Sequence, residues 1–184
     1  MQSDALKWDA RHRDNPISIK PLELLKNHIA KAHVGRALDL ACGMGRNSRF
    51  MRDCGFFVES VDISSYAINA LQDEYGINAQ CVDLDTFKIP ACRYDLICNS
   101  YFLERRLFPY IIKGLKKGGI LIFETFGLSD VELHNAFASD SAHLLHKNEL
   151  LRAFLDLEIL FYEEALIERN STYALVVRLV AQKH

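Results

Sequence analysis

The sequence predicts a single α/β domain: a doubly wound, seven-stranded, mostly parallel sheet with helices on both faces and an antiparallel hairpin at its C-terminal end. Three observations carry that expectation. From about residue 35 to residue 123, short apolar runs alternate with helical segments, the pattern of strand–helix–strand units that lays strands parallel. Glycine turns or aspartates punctuate the ends of the first three runs. The last two runs, 158–162 and 173–180, have no helix between them, so they pair antiparallel. Size agrees: 184 residues, 49% of them hydrophobic, suit one domain. A chain of this length buries roughly 70% of its unfolded surface and needs no metal or disulfide to hold a core.

Each element has a local cause. Residues 4–12 form a short helix carrying Trp8, before Pro16 and Pro21 punctuate the chain. Leu22, Leu25, Ile29 and Ala32 recur at helical spacing, and Gly35 ends that helix. The first strand, 37–41, runs into the glycine turn Cys42-Gly43-Met44-Gly45 and a helix from Asn47. A strand at 56–61 is rich in aromatic and β-branched residues and stops at Asp62. Ser64 suits the N-cap of a helix over 65–75, which Gly76 ends. Strands follow at 77–82, stopping at Asp83, and at 94–98. A helix over 102–117, with Pro109 in its first turn, closes at Gly118-Gly119 before the strand at 120–123. Residues 127–146 are irregular, 148–155 are helical, and a turn at Asn170-Ser171 joins the last two strands. The division expected is 1–34 as an N-terminal helical lid or extension and 35–184 as the ligand-binding core.

Composition excludes several classes. A net charge of −2 leaves no bulk attraction for nucleic acid, so none is expected as a partner. No apolar run approaches the roughly 20 residues that span a membrane, and the first residues lack the basic start and apolar centre of a signal peptide. Cys42, Cys54, Cys81, Cys92 and Cys98 are odd in number and form no C-x-x-C pair. They read as buried or half-buried free thiols of a cytoplasmic protein. No metal site is expected.

In an open doubly wound sheet, ligands bind beyond the carboxyl ends of the strands. Gly43 and Gly45, Asp62, Asp83, and Asn99-Ser100-Tyr101 fall at the first four such ends. Asp62 lies 19 residues after Gly43, a spacing that suits a ribose, whose hydroxyls a carboxylate accepts. Asp83 can accept from an exocyclic amine, and Leu84 can cover a flat base. A glycine turn alone also occurs at tight strand–helix junctions that bind nothing; acids at the next two strand ends favour a nucleoside. Ser48 stands where a dinucleotide fingerprint wants glycine or alanine, so the ligand expected has ribose and adenine but no phosphates.

These residues also resemble a known family. Leu38-Asp39-Leu40-Ala41-Cys42-Gly43-Met44-Gly45-Arg46-Asn47-Ser48 resembles motif I of the Rossmann-like class I S-adenosylmethionine-dependent methyltransferases, and the Gly-Arg-Asn-Ser ending is similar to the small tellurite-resistance type, whose relatives include thiopurine-type enzymes. The likeness continues through Val61-Asp62-Ile63-Ser64, Val82-Asp83-Leu84, Tyr94-Asp95-Leu96-Ile97 and Leu115-Lys116-Lys117-Gly118-Gly119 to Lys147-Asn148-Glu149-Leu150 and the terminal hairpin. It implies S-adenosyl-L-methionine as cofactor. Asp39 would fix the methionine amino group, and the backbone of Ala41, Cys42 and Gly43 would run past the cofactor. Asp62 would take the ribose, Ile63 and Ser64 would lie by the adenine, and Asp83 and Leu84 would hold that base. Asn99, Ser100 and Tyr101 would approach the methionine end, flanked by Gly45, Arg46 and Asn47. A looser echo at residues 8–13 adds Trp8 and Arg13, Trp8 either capping the cofactor or stapling its helix to the body. Ala41 departs from the glycine that usually opens motif I.

The function expected is methyl transfer to a small-molecule acceptor, such as a thiol or a selenium or tellurium compound, by a monomer or homodimer. The alternatives are a methyltransferase acting on RNA or protein, and a non-catalytic cofactor binder. A general base is needed only for an acceptor still protonated at neutral pH. Candidates are Tyr101, His134 and His143. The 127–146 stretch, with residues 8–13, is expected to close over the acceptor.

Overall fold

The computed structural model describes residues 2–14, 18–129, 141–169 and 172–184. The strands are β1 (Arg36–Leu40), β2 (Phe57–Asp62), β3 (Ile77–Cys81), β4 (Tyr94–Ser100), β5 (Leu115–Phe126), β6 (Glu158–Arg169) and β7 (Thr172–Gln182). The helices are α1 (Gln2–Asp14), α2 (Glu23–His28), α3 (Arg46–Asp53), α4 (Ser65–Asn69), α5 (Phe108–Gly114) and α6 (Glu149–Ala153). They build the expected seven-stranded sheet, in the order β3-β2-β1-β4-β5-β7-β6. The first five strands pair parallel, and β7 runs antiparallel to both β5 and β6. The order reverses between β1 and β4, so a crevice opens at their carboxyl ends.

Strand alternation sorts the core. Leu38 and Leu40 of β1 face a layer containing Phe108, Phe123 and Phe154. Ala37 of the same strand faces the other layer, with Leu25, Met51, Leu96 and Cys98. Each buried leucine or phenylalanine contributes roughly 1.5–3 kcal/mol. No helix among the described residues is long and apolar enough to cross a membrane.

Several expected bounds change. The 65–75 helix stops at Asn69 and gives way to turns, because residues 72–75 are Gln-Asp-Glu-Tyr with no second apolar turn to bury. Ser64 does cap it, accepting from the Ala67 amide at 3.1 Å. In place of one helix over 102–117, a 3₁₀ turn (Arg105–Leu107) precedes α5, which ends at Gly114. Gly114 is packed so closely on Ile89 that a Cβ there would sit 2.5 Å from its Cγ2. Gly118-Gly119 therefore lie inside β5, where Leu115 pairs with Tyr94 and the register slips before Ile120 pairs with Leu96. Both hairpin strands outrun their apolar runs, since their ladder continues past the edge of β5. The turn at Asn170-Ser171 lies outside the described residues. Cys42 and Cys98 are buried and Cys54 half-buried, but Cys81 and Cys92 are exposed.

Candidate functional site

The carboxyl ends of β1 and β2 are tied together by one side chain. Asp62 accepts from the Gly43 amide on one carboxylate oxygen and from the Ser64 amide on the other, both at 2.8 Å. Gly43 and Gly45 have φ of +50° and +75°, the left-handed region glycine enters at no steric cost. Ala41 shares it, at φ +51°, and an L-residue there carries a penalty of roughly 1–2 kcal/mol. Cys42 is buried, with its amide bonded to Val61 O at 3.1 Å.

Asp39 points into the protein from β1 and is 1% exposed. It accepts from the Ser48 hydroxyl, which accepts in turn from Ser60 at 2.9 Å. Burial pushes its carboxyl up to about 7, against the pull of the Ser48 bond and Arg46. The residue sequence reasoning set on the methionine amino group therefore spends its bonding on the first turn of α3.

Helix α1 covers this turn through residues that pattern reading missed. Asp9 accepts from the Ser64 hydroxyl at 2.6 Å, the Ser65 hydroxyl at 3.0 Å and the Tyr66 amide at 3.0 Å, so it caps α4 from outside. One helical turn on, His12 is 4% exposed, and a Cβ on Gly43 would lie 3.1 Å from its Cε1. Its Nδ1 is buried with no hydrogen-bond partner among the described residues. Burial pushes the imidazole below its usual pKa, outweighing the carboxylates of Asp62 and Asp9. Trp8 is 42% exposed, with its ring 5.9 Å from that of His12; Arg13 lies 5.5 Å above the Tyr66 ring. Asp9 and His12 stand three apart, on one helix face, which is the only signal the sequence offered.

Beyond β3, half-buried Asp83 accepts from the Asp85 amide at 2.9 Å, Leu84 is buried, and Ile63 at the β2 end is half-buried. Past β4, Asn99 donates to Phe102 O at 2.8 Å. The Ser100 hydroxyl accepts from Asn47 Nδ2 at 3.2 Å and, more weakly, Arg46 at 3.5 Å. Asn47 Oδ1 accepts from the Leu22 amide at 2.9 Å, which fixes the start of α2 over the site.

Next to Ser100 a cavity of about 260 Å³ opens, lined by Ser18, Lys20, Leu22, Arg46, Tyr101 and Glu124 among others. Tyr101 has φ +55°, a strained region for an aromatic residue. Two bonds to one residue hold it there: its amide reaches Glu124 O at 2.7 Å, and its hydroxyl reaches Glu124 Oε1 at 2.5 Å. Glu124, 3% exposed, accepts on its other oxygen from Arg178 Nε at 2.9 Å, its cross-strand partner on β7. Arg178 also pairs with Glu163 of β6. The Arg46 guanidinium lies 5.8 Å above the Tyr101 ring. Glu124 and Arg178 went unnoticed in the sequence because a strand shows its own residues, not which strand lies opposite.

His143 is exposed and does not line this cavity. His134 lies outside the described residues, as do 130–140 of the expected lid. Arg105 pairs with Glu149, so it braces α6 and is not presented to a ligand.

Comparison with known proteins shows which family and which folds the chain is similar to. The family model described as tellurite resistance protein TehB matches residues 23–180. A relative from Haemophilus influenzae, named a probable S-adenosyl-L-methionine-dependent methyltransferase TehB, is 31% identical over 74% of this chain and 51% of its own length. A ubiquinone biosynthesis O-methyltransferase from Coxiella burnetii is 32% identical over 65% of this chain and 53% of its own. This chain thus spans about half the length of the curated relatives it matches. The crystal structure of TehB from Haemophilus influenzae superposes with a TM-score of 0.76 at 23% identity, over 97% of this chain and 67% of that one, and shares its fold.

Proposed function

The chain belongs to the TehB tellurite-resistance family, and from that premise we propose that it is an S-adenosylmethionine-dependent methyltransferase acting on a small-molecule acceptor. The observation that carries the reading is the row of ligand-facing groups at four adjacent strand ends: the Gly43 turn, Asp62, Asp83 and Ser100. The residues fit the cofactor. Gly43 has no Cβ, so its backbone admits a close neighbour, here the His12 ring; the His12 Nδ1, without a hydrogen-bond partner among the described residues, is one that a ligand hydroxyl or carboxylate would satisfy, and each Asp62 oxygen that accepts one amide keeps a second lone pair. Bound there, the cofactor supplies a methyl group on a sulfonium, which needs orientation and a dry pocket more than acid–base help.

In this reading Asp62 takes the ribose hydroxyls, Asp83 and Leu84 hold the adenine with Ile63, and Ser100 stands at the methionine end beside the cavity. The acceptor occupies that cavity. Residues 1–34 form the lid over the core of 35–184, with α1 closing it through Asp9 and His12. Asp39 acts at one remove, by holding Ser48. The small cavity and the net charge of −2 favour a small acceptor over RNA or protein; a thiol or a selenium or tellurium compound belongs to that class, and so does a hydroxyl.

Calorimetry tests the cofactor half. S-adenosylhomocysteine is expected to bind, and Asp62→Ala to weaken it by about tenfold or more, since charge-assisted bonds to a carboxylate are worth roughly 1.5–3 kcal/mol each. Binding of NAD with no response to S-adenosylhomocysteine would sink the reading.

A further inference from the structure

One half-buried arginine differs from the rest. Arg49, Arg52, Arg93, Arg105 and Arg178 are half-buried, and each reaches a carboxylate at 2.5–2.9 Å. Arg46 is half-buried too, but it pairs with no carboxylate among the described residues. Its side chain donates to two neutral oxygens, Lys20 O and Ser100 Oγ, both at 3.5 Å, which is long for an N–H donor. Most of the guanidinium's donors are therefore unspent. Asp39 feels its charge but accepts from Ser48 instead. A charge withdrawn from water without a partner is costly, so what this guanidinium lacks is an anion from outside the chain.

Arg46 lines the cavity of about 260 Å³ together with Lys20. The acids that line it are already matched: Glu23 pairs with Lys26 at 2.7 Å, and Glu124 with Arg178, which also holds Glu163. Lys20 is exposed and has no carboxylate partner among the described residues, so the uncompensated charge in the cavity is positive. Pro21 and Leu22 supply an apolar wall. Roughly 150 Å³ is enough to hold benzene, so the space admits a ring or a short chain together with an anionic group. A small inorganic oxyanion would leave most of it unfilled.

We propose that Arg46, with Lys20 at the exposed rim, binds a carboxylate carried by the methyl acceptor, which makes the acceptor a small organic acid. The inference rests on the methyltransferase reading above and adds the acceptor's class. A guanidinium fork meets a carboxylate with two parallel N–H···O bonds, which fix the orientation of what they hold as well as its distance. Arg46 opens α3, directly after the Gly45 turn, and its side chain reaches Ser100 at the end of β4. An acid held there lies beside the strand ends where the reading sets the methionine moiety, with its body along Pro21 and Leu22. Orientation of this kind is the main help a protein gives to methyl transfer. The carboxylate also offsets the repulsion between Arg46 and a positively charged cofactor. Arg46 moves no proton and makes no bond to the reacting atoms; it determines specificity.

Matched pairs of probes test it: 4-hydroxybenzoate, thiosalicylate and anthranilate, each against the corresponding benzamide, which keeps the nucleophile and the shape but loses the charge. Calorimetry at saturating S-adenosylhomocysteine is expected to show at least one acid binding about tenfold or more tightly than its amide. Arg46→Gln should bring that preference below about twofold, and Arg46→Lys should keep no more than about half of it, since an ammonium lacks the fork. Lys20→Gln should lower it by about threefold or less, because an exposed charge is screened. With S-adenosylmethionine the parent is expected to methylate at least one of the acids, and Arg46→Gln to raise KM for it about tenfold with a smaller change in kcat. An acid preference absent from the parent, or kept in full by Arg46→Gln, overturns the proposal. So does methylation of amides, selenite or tellurite with none of the acids, or methylation of none of the probes. Each of these outcomes leaves the cofactor site standing, because S-adenosylhomocysteine binding by the parent is measured first. If that binding is absent, the methyltransferase reading itself fails. Should Arg46→Gln not fold, Arg46→Lys and the parent's preference decide.

Discussion

Glu59 and Glu124 are buried carboxylates in the same sheet, and each accepts from one tyrosine and at least one arginine. Near the amino ends of the strands, Glu59 receives Tyr94 Oη at 2.7 Å, Arg93 at 2.6 Å and Arg36 at 3.2 Å. Towards the carboxyl ends, Glu124 receives Tyr101 and Arg178. The parts match but the settings differ. Tyr94 is fully buried at the start of β4, whereas Tyr101 is half-buried, strained and lines a cavity. Burial pushes the Glu59 carboxyl up, but bonds from Arg93 and Tyr94 and the charges of Arg93 and Arg36 outweigh it and hold it below the usual carboxylate range. Tyr94 is pushed well above the usual phenol by burial and by Glu59. One cluster is closed on itself and holds strands together. The other lines a cavity.

The largest expected effect that probes this contrast concerns Asp39, the other buried carboxylate near the site end. Its folded value, about 7, lies above that of an unfolded aspartate. Its contribution to stability is therefore fully present below about pH 4 and is lost as pH rises through about 7. Asp39→Asn should gain on the parent across that window, by up to about 4 kcal/mol at pH 8 from a shift of roughly three units. Denaturant melts at pH 4 and pH 8 measure it, and an unchanged difference between the two proteins would show that Asp39 stays charged at little cost.

Glu59→Gln comes next. Removing one partner of a buried pair costs about 3–5 kcal/mol, and the half-exposed arginines beside Glu59 bring the expected loss to the low end of that range. Affinity for S-adenosylhomocysteine should not move. A loss of binding without a loss of stability would erase the distinction between the two clusters.

The tyrosines give the most direct comparison. Tyr94→Phe leaves Glu59 Oε2 with only the longer bond from Arg93, at 3.3 Å, for a loss of about 1–3 kcal/mol with kcat unaffected. Tyr101→Phe should cost less stability, because water can enter its cavity. Equal stability losses in denaturant melts would make the clusters equivalent.

The smallest effect is at Ala41. Its φ of +51° suits glycine, so Ala41→Gly should relieve strain, offset by the greater freedom glycine gives the unfolded chain. The expected gain is up to about 1 kcal/mol in the same melts, and a loss of stability would mean that the alanine methyl contributes packing that the strain argument omits.

The sequence by itself determined the sheet and its C-terminal hairpin. Strand periodicity and glycine stops are local, and every run from 37–41 to 173–180 became a strand. It also determined that Gly43, Asp62, Asp83 and Ser100 lie at one end of the sheet, because in a parallel sheet the residue after each apolar run must lie at the same end. Tertiary structure decided what each side chain there is free to do. Asp39 turned inward to Ser48, Ser64 was taken by Asp9, and His12 came to rest on Gly43, 31 residues along the chain. Tyr101 met Glu124 and Arg178 only because β4, β5 and β7 are neighbours. The physical reason is that periodicity records which way a residue faces its own strand. A hydrogen bond or ion pair depends on what another segment, tens of residues away, sets opposite it.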